Sequence, residues 1–184
     1  FGSALMLLGF LALYFQVEPN TFSIPLLIEH ATDAIDHDTQ LLIFGALFIG
    51  FAVKVPMFPF HTWLPDAHTQ APTVGSVILA AILLKLGTYG FVRIALPVLP
   101  EAAETWAPWI GLLAVIGIIY GALGCLAQTD MKRLIAFSSV AHMGYVMLGI
   151  ATLTDFGINA AIFGMVAHGL ITGMLFFIAG SVKD

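Results

Sequence analysis

The chain has 184 residues, of which 60% are hydrophobic and only 9% charged, whereas soluble domains carry roughly a quarter charged residues. This composition argues strongly against a soluble globular fold. The net charge is −5, and the basic residues are not clustered beyond Lys132 and Arg133, so no nucleic acid partner is expected. The single Cys125 excludes an internal disulfide, and it excludes a four-cysteine iron–sulfur site.

Six stretches are apolar over about the 20 residues that a transmembrane helix needs. They cover residues 1–16, 39–58, 73–96, 108–127, 134–152 and 159–180. We therefore predict an all-α, polytopic membrane protein with about six transmembrane helices in one domain over residues 1–184, with the lipid bilayer as its solvent. Phe1 stands where an initiator Met would be and already lies in an apolar run, so we interpret the first span as truncated, in a fragment of a longer chain.

The charges of the connections predict an orientation, because cytoplasmic loops are enriched in Lys and Arg. Lys132 and Arg133 place the connection before the fifth span inside. The acidic connection between the first two spans, and the one with Glu101 and Glu104, then lie outside.

Besides Arg93, which is near an outer end, four Lys and His side chains fall within four different spans: Lys54, Lys85, His142 and His168. A charge at the bilayer centre costs about 3 kcal/mol on insertion scales, so each needs a reason. Lys85 lies about 12 residues into its span, roughly 18 Å deep at 1.5 Å per residue. This depth is too great for its side chain to reach the interface easily.

Lys54 is followed at once by Pro56 and Pro59, which remove backbone donors and interrupt a helix. A helix interrupted beside a buried charge is typical of an ion site built from half-helix ends. The alternative is a lysine at a helix end whose ammonium reaches the interface.

His142 and His168 lie near mid-membrane depth in their spans, and imidazole both accepts and donates protons near neutral pH. For either ring alone, a structural hydrogen bond is the alternative. Two lysines and two histidines in four spans favour a path for protons or cations.

Residues 61–72 form a polar connection on the inner side that contains His61, Asp66 and His68. These three are candidates for proton uptake, or they are simply solvated. Trp63 is interpreted as an interfacial anchor. The two histidines lack a third ligand at suitable spacing, so a metal site is not expected, and no nucleotide-binding or cluster-binding motif predicts a cofactor in this chain.

Three strings together are highly specific: KVPMFPFHTWLPDAHTQAPTVGS over residues 54–76, LKLGTYG over residues 84–90, and QTDMKRLIAFSSVAHMGY over residues 128–145. They resemble the antiporter-like M subunits (chain 4 type) of proton-pumping NADH–quinone oxidoreductase, respiratory complex I, and the resemblance extends over the whole chain. It implies that Lys54 is the central pumping residue in a discontinuous helix and that Lys85 links it to the next half. His142 and His168 then continue the hydrophilic axis.

The resemblance also implies a subunit of a translocase with no redox site of its own, in the bacterial inner membrane. NADH, FMN, iron–sulfur clusters and quinone would be bound by partner subunits, and the neighbours would be other antiporter-like subunits of the membrane arm. The alternative is a subunit of a Na⁺/H⁺ (Mrp-type) antiporter or of a membrane-bound hydrogenase, which share the scaffold.

Overall fold

A computed structural model describes residues 1–183, with side chains to residue 182. Within that range the regular structure is helical throughout, and the prediction of an all-α membrane protein is confirmed. The helices are α1 (Gly2–Gln16), α2 (Ile24–Ala34), α3 (His37–Lys54), α4 (Trp63–Gln70), α5 (Thr73–Val98), α6 (Pro100–Leu126), α7 (Met131–Ala151) and α8 (Asp155–Lys183). Helix α5 contains two π-helical segments, Leu79–Leu83 and Phe91–Ala95.

Each predicted span overlaps one helix, with bounds that differ by up to several residues. In the described part of the chain, α5, α6, α7 and α8 are long and apolar enough to cross a membrane. Helix α1 is apolar but has only 15 residues, and α3 begins with the polar residues His37 and Asp38. The number of six spans is therefore approximate.

Predicted connections turn out to be partly helical, and α4 (Trp63–Gln70) lies within the polar connection over residues 61–72. Helix α2 lies within the stretch that we interpreted as the first outer connection. Helix α6 begins eight residues before its predicted start, with Pro100 in its first turn followed by Glu101. Proline and acidic side chains both favour a helix N-terminus, so Glu101 and Glu104 lie on the first turns of α6 rather than in a loop.

The predicted discontinuity near Pro56 and Pro59 is confirmed. Helix α3 ends at Lys54 and α4 begins at Trp63, with a non-helical segment between them. The indole Nε1 of Trp63 donates a hydrogen bond to the carbonyl oxygen of Val53 at 3.0 Å. Trp63 was predicted as an interfacial anchor, but here it ties the start of α4 to an unpaired carbonyl at the end of α3.

Small residues allow close packing between α6 and α7, and the sequence motif Gly117-x-x-x-Gly121 marks this face. A Cβ on Gly121 would lie 2.7 Å from the backbone nitrogen of Ala141, whereas a Cβ on Gly117 meets nothing closer than Phe58 at 3.9 Å. Only the second glycine of the motif is therefore required by the packing.

We expect Gly121→Ala to destabilise the protein by about 1–3 kcal/mol, because overpacking against backbone forces the two helices apart. The matched control on the same helix is Gly111→Ala, whose Cβ would lie an ordinary 3.7 Å from Ala151. Thermal unfolding of the full-length protein in detergent measures the difference. Equal midpoints for the two variants would contradict the packing argument.

Candidate functional site

Lys85 and His168 meet at mid-depth between α5 and α8. The Lys85 Nζ lies 2.6 Å from the His168 Nδ1, and it also donates a hydrogen bond to the carbonyl oxygen of Ala80. Ala80 belongs to the π-helical segment that precedes Lys85, and such segments release carbonyls from the regular α-helical pattern. The sequence-predicted Lys85 and His168 thus form one hydrogen-bonded pair.

Gly169 makes this pair possible. A Cβ at residue 169 would lie 2.9 Å from the carbonyl oxygen of Ala81 and 3.7 Å from the Cε of Lys85. Because a larger residue would push α8 away from α5, the glycine beside His168 sets the spacing between the two basic groups.

His142 on α7 continues the line from His168. The two ring centroids are 5.7 Å apart, and both rings line a groove of about 500 Å³ between α7 and α8. The Nδ1 of His142 lies 2.8 Å from the carbonyl oxygen of Ser138. A carbonyl only accepts, so this nitrogen carries the proton and the Nε2 of a neutral His142 is left as an acceptor.

The contact with Lys85 also sets the tautomer of His168. When the lysine is charged it donates to Nδ1, so a neutral His168 carries its proton on Nε2. This Nε2 is buried and has no hydrogen-bond partner among the described residues. His168 can therefore accept a proton at one nitrogen and release another from the opposite nitrogen.

Lys54 is the last residue of α3, and its side chain is half-buried. Within the part of the chain that the structure describes, no hydrogen bond or ion pair involves its ammonium. The break after Lys54 packs against α5, since a Cβ on Gly87 would lie 2.6 Å from the Cγ2 of Val55. Lys54 and Lys85 therefore belong to neighbouring segments, although they do not form a pair.

The alternative that His61 and His68 are simply solvated is wrong, because both side chains are buried. The His61 ring lies between Phe58 and Tyr120, with ring centroids 5.6 and 4.8 Å away. Burial lowers the pKa of His61. Apolar neighbours therefore disfavour the charged imidazole here.

His68 stacks on Phe176 of α8 at 4.2 Å, and neither of its ring nitrogens has a partner among the described residues. Burial, and next the charge of Lys132, lower the pKa of His68 to about 4. His68 is therefore neutral at pH 7. Asp66, the third candidate of this segment, is exposed and pairs with Arg133 at 3.4 Å.

One face of α8 connects the two regions. Phe176, Thr172 and His168 are spaced four residues apart and are all buried, so they lie on the same side of the helix. Sequence reasoning missed Thr172, although its spacing from His168 could have revealed it. It also missed that Lys132 is buried and donates to the carbonyl oxygen of Ala71 at 3.3 Å.

A multi-pass helical bundle with an interrupted helix, and with basic side chains in contact at mid-depth, has the architecture of antiporter-like membrane domains. All 184 residues match the family described as NADH:quinone oxidoreductase/Mrp antiporter, TM. The chain belongs to this family and is an integral multi-pass membrane protein.

Named relatives point to one branch of the family. The chain is 50% identical over 184 residues to NADH-quinone oxidoreductase subunit M of Rickettsia bellii, covering 100% of this chain and 37% of the relative. It is 53% identical over 175 residues to NADH-ubiquinone oxidoreductase chain 4 of Metridium senile, covering 95% of this chain and 35% of the relative. The chain thus spans little more than a third of the length of these relatives.

A solved structure matches the fold closely. One chain of respiratory complex I from Thermus thermophilus with bound NADH superimposes with a TM-score of 0.91 at 31% identity, covering 98% of this chain and 38% of that chain. The arrangement of helices around the break is therefore shared with a complex I subunit.

Proposed function

We propose that this chain is the proton-conducting part of a membrane-arm subunit of NADH–quinone oxidoreductase in a bacterial plasma membrane. The observation that carries the proposal is the Lys85–His168 contact of 2.6 Å at mid-depth. The names of the relatives at 50% identity and above support the complex. NADH, FMN, iron–sulfur clusters and quinone are then bound by partner subunits, and other antiporter-like subunits are its neighbours.

Protons are taken up from the cytoplasm near His68, whose buried nitrogens are available. They pass along the α8 face by way of Thr172, whose hydroxyl both accepts and donates, to His168. Phe176, which stacks on His68 at 4.2 Å, is one turn of α8 from Thr172. Asp66 is exposed and paired with Arg133, and it lies at the cytoplasmic entrance of this path. His61 lies in the non-helical segment between α3 and α4.

The central step is a proton transfer between two bases. Charged Lys85 donates its proton to the Nδ1 of His168, which becomes an imidazolium and then releases the proton from Nε2 towards His142. Lys85 is left neutral, and His168 keeps its proton on Nδ1. The next proton that arrives along α8 binds the vacant Nε2 of His168, and the Nδ1 proton returns to Lys85. Lys54 controls this step, because a positive charge on the adjoining segment disfavours a second charge on Lys85.

The chemistry of the site favours protons over sodium. The Lys85 Nζ contacts the His168 Nδ1 at 2.6 Å, and the His142 ring lies 5.7 Å from the His168 ring. Such nitrogen bases bind and release protons, and they repel a metal cation when charged. Half-helix ends can also hold sodium, so the preference over the Na⁺/H⁺ antiporter alternative rests on these bases and on the names of the relatives.

The test uses the full-length protein in its complex, reconstituted into vesicles. We expect the proton uptake per NADH oxidised to be unchanged when sodium is replaced by potassium. A pH-gradient dye measures the uptake. A loss of most uptake without sodium would favour the antiporter alternative, and an uptake that proceeds without any donor oxidation would contradict the proposed coupling.

A further inference from the structure

An apolar groove of about 660 Å³ lies between the first turns of α3 and α6, at the end of the bundle opposite Lys132 and Arg133. It is lined by Asp38, Leu41, Leu42, Thr105, Trp106 and Trp109. The polar members Asp38 and Thr105 come before the apolar ones on each helix. The groove therefore has a polar outer end and an apolar wall that continues into the membrane.

The position of the groove indicates contact with lipid. Trp side chains concentrate at the membrane–water interface, and Trp106 and Trp109 follow the first turn of α6. Leu42 and Trp109 are 76% and 61% exposed, so no part of residues 1–182 covers them. A volume of this size is within the range of small-molecule sites, which are mostly apolar with a few placed polar groups.

The charges at the outer end select the headgroup. Asp38 lines the groove, and Glu101 lies nearby, where it pairs with His37 at 3.6 Å and links the starts of α6 and α3. No lysine or arginine is among the groove residues. An anionic phospholipid would place its phosphate beside carboxylates without compensation, whereas an ammonium headgroup complements Asp38.

We propose that this groove binds one molecule of phosphatidylethanolamine. An acyl chain lies between Leu42 and Trp109, and the ethanolamine ammonium lies beside the carboxylate of Asp38. The lipid fills the space between the first turns of α3 and α6. This groove contains none of the basic side chains of the proton path. The proposed lipid site therefore does not depend on the proposed function.

Photo-crosslinking of the full-length protein in its complex tests the site. A benzophenone amino acid replaces Leu42, and in a control it replaces Phe156, which is exposed at the start of α8 beside Asp155 but outside the groove. The vesicles contain equal amounts of phosphatidylethanolamine and phosphatidylglycerol. Mass spectrometry of the adducts gives the ratio of the two lipids at each position.

We expect the ethanolamine lipid to be enriched at residue 42 over residue 156 by about two- to fivefold, the ratio that corresponds to one partly exposed charge pair. Asp38→Lys should reverse the preference at residue 42 and leave the control ratio unchanged. Equal ratios at the two positions, or an unchanged ratio in Asp38→Lys, would overturn the proposal. Crosslinks from residue 42 to peptide instead of lipid would show that protein covers the groove, and would overturn it as well.

Discussion

Replacement of Lys54 by alanine is expected to abolish most proton translocation while electron transfer in the complex continues. Lys54 ends the first half of the interrupted helix, and no side chain among residues 1–182 pairs with its charge. A neighbouring charge that appears or disappears therefore acts directly on this ammonium, because no ion pair screens it.

Lys54→Arg should fail as well, because a guanidinium stays charged and cannot release its proton. The matched control is Arg93→Gln, which removes an exposed basic charge from α5 away from the break. Proton uptake is measured with a pH-gradient dye against NADH oxidation, and electron transfer with an acceptor that bypasses quinone. Near-normal pumping in Lys54→Ala would contradict this role. Lys54 would then only stabilise the C-terminus of α3 through its positive charge.

The order of the apolar helices was predictable, and their number approximately so, because hydrophobic length is a local property of the sequence. The interruption after Lys54 was predictable too, since Pro56 and Pro59 act on their own backbone. Helix α2 was missed because its acidic residues suggested a connection. The early start of α6 was missed because Glu101 and Glu104 were taken as loop charges, although they favour a helix N-terminus.

The candidate site was only half predictable. Depth within a span identified Lys85, His142 and His168, but their contacts join residues far apart in sequence, 83 positions in the case of Lys85 and His168. The π-helical segment that exposes the Ala80 carbonyl has no marker in the sequence that we recognised. For His61 and His68 the polar segment left proton uptake and simple solvation both open. Only the packing of Phe58, Tyr120 and Phe176 around the two rings shows that they are buried.

The Lys85–His168 pair should behave as one functional unit. Lys85→Met removes the donor and leaves the Nδ1 of His168 without a partner, while His168→Phe removes the acceptor. If the proton moves directly between the two side chains, either substitution interrupts the same step. We expect each single variant to lose most proton uptake, and the double variant to lose no more than either single variant.

If Lys85 and His168 had only a structural role, their variants would lose proton uptake in proportion to their loss of stability. Loss of a buried hydrogen-bond partner costs about 1–3 kcal/mol, so the thermal midpoint of the complex is measured for every variant. Lys85→Arg keeps a donor for His168 but cannot release its proton, so it should retain stability and still lose pumping. Normal pumping in Lys85→Arg, or losses that multiply in the double variant, would mean that Lys85 and His168 do not exchange a proton.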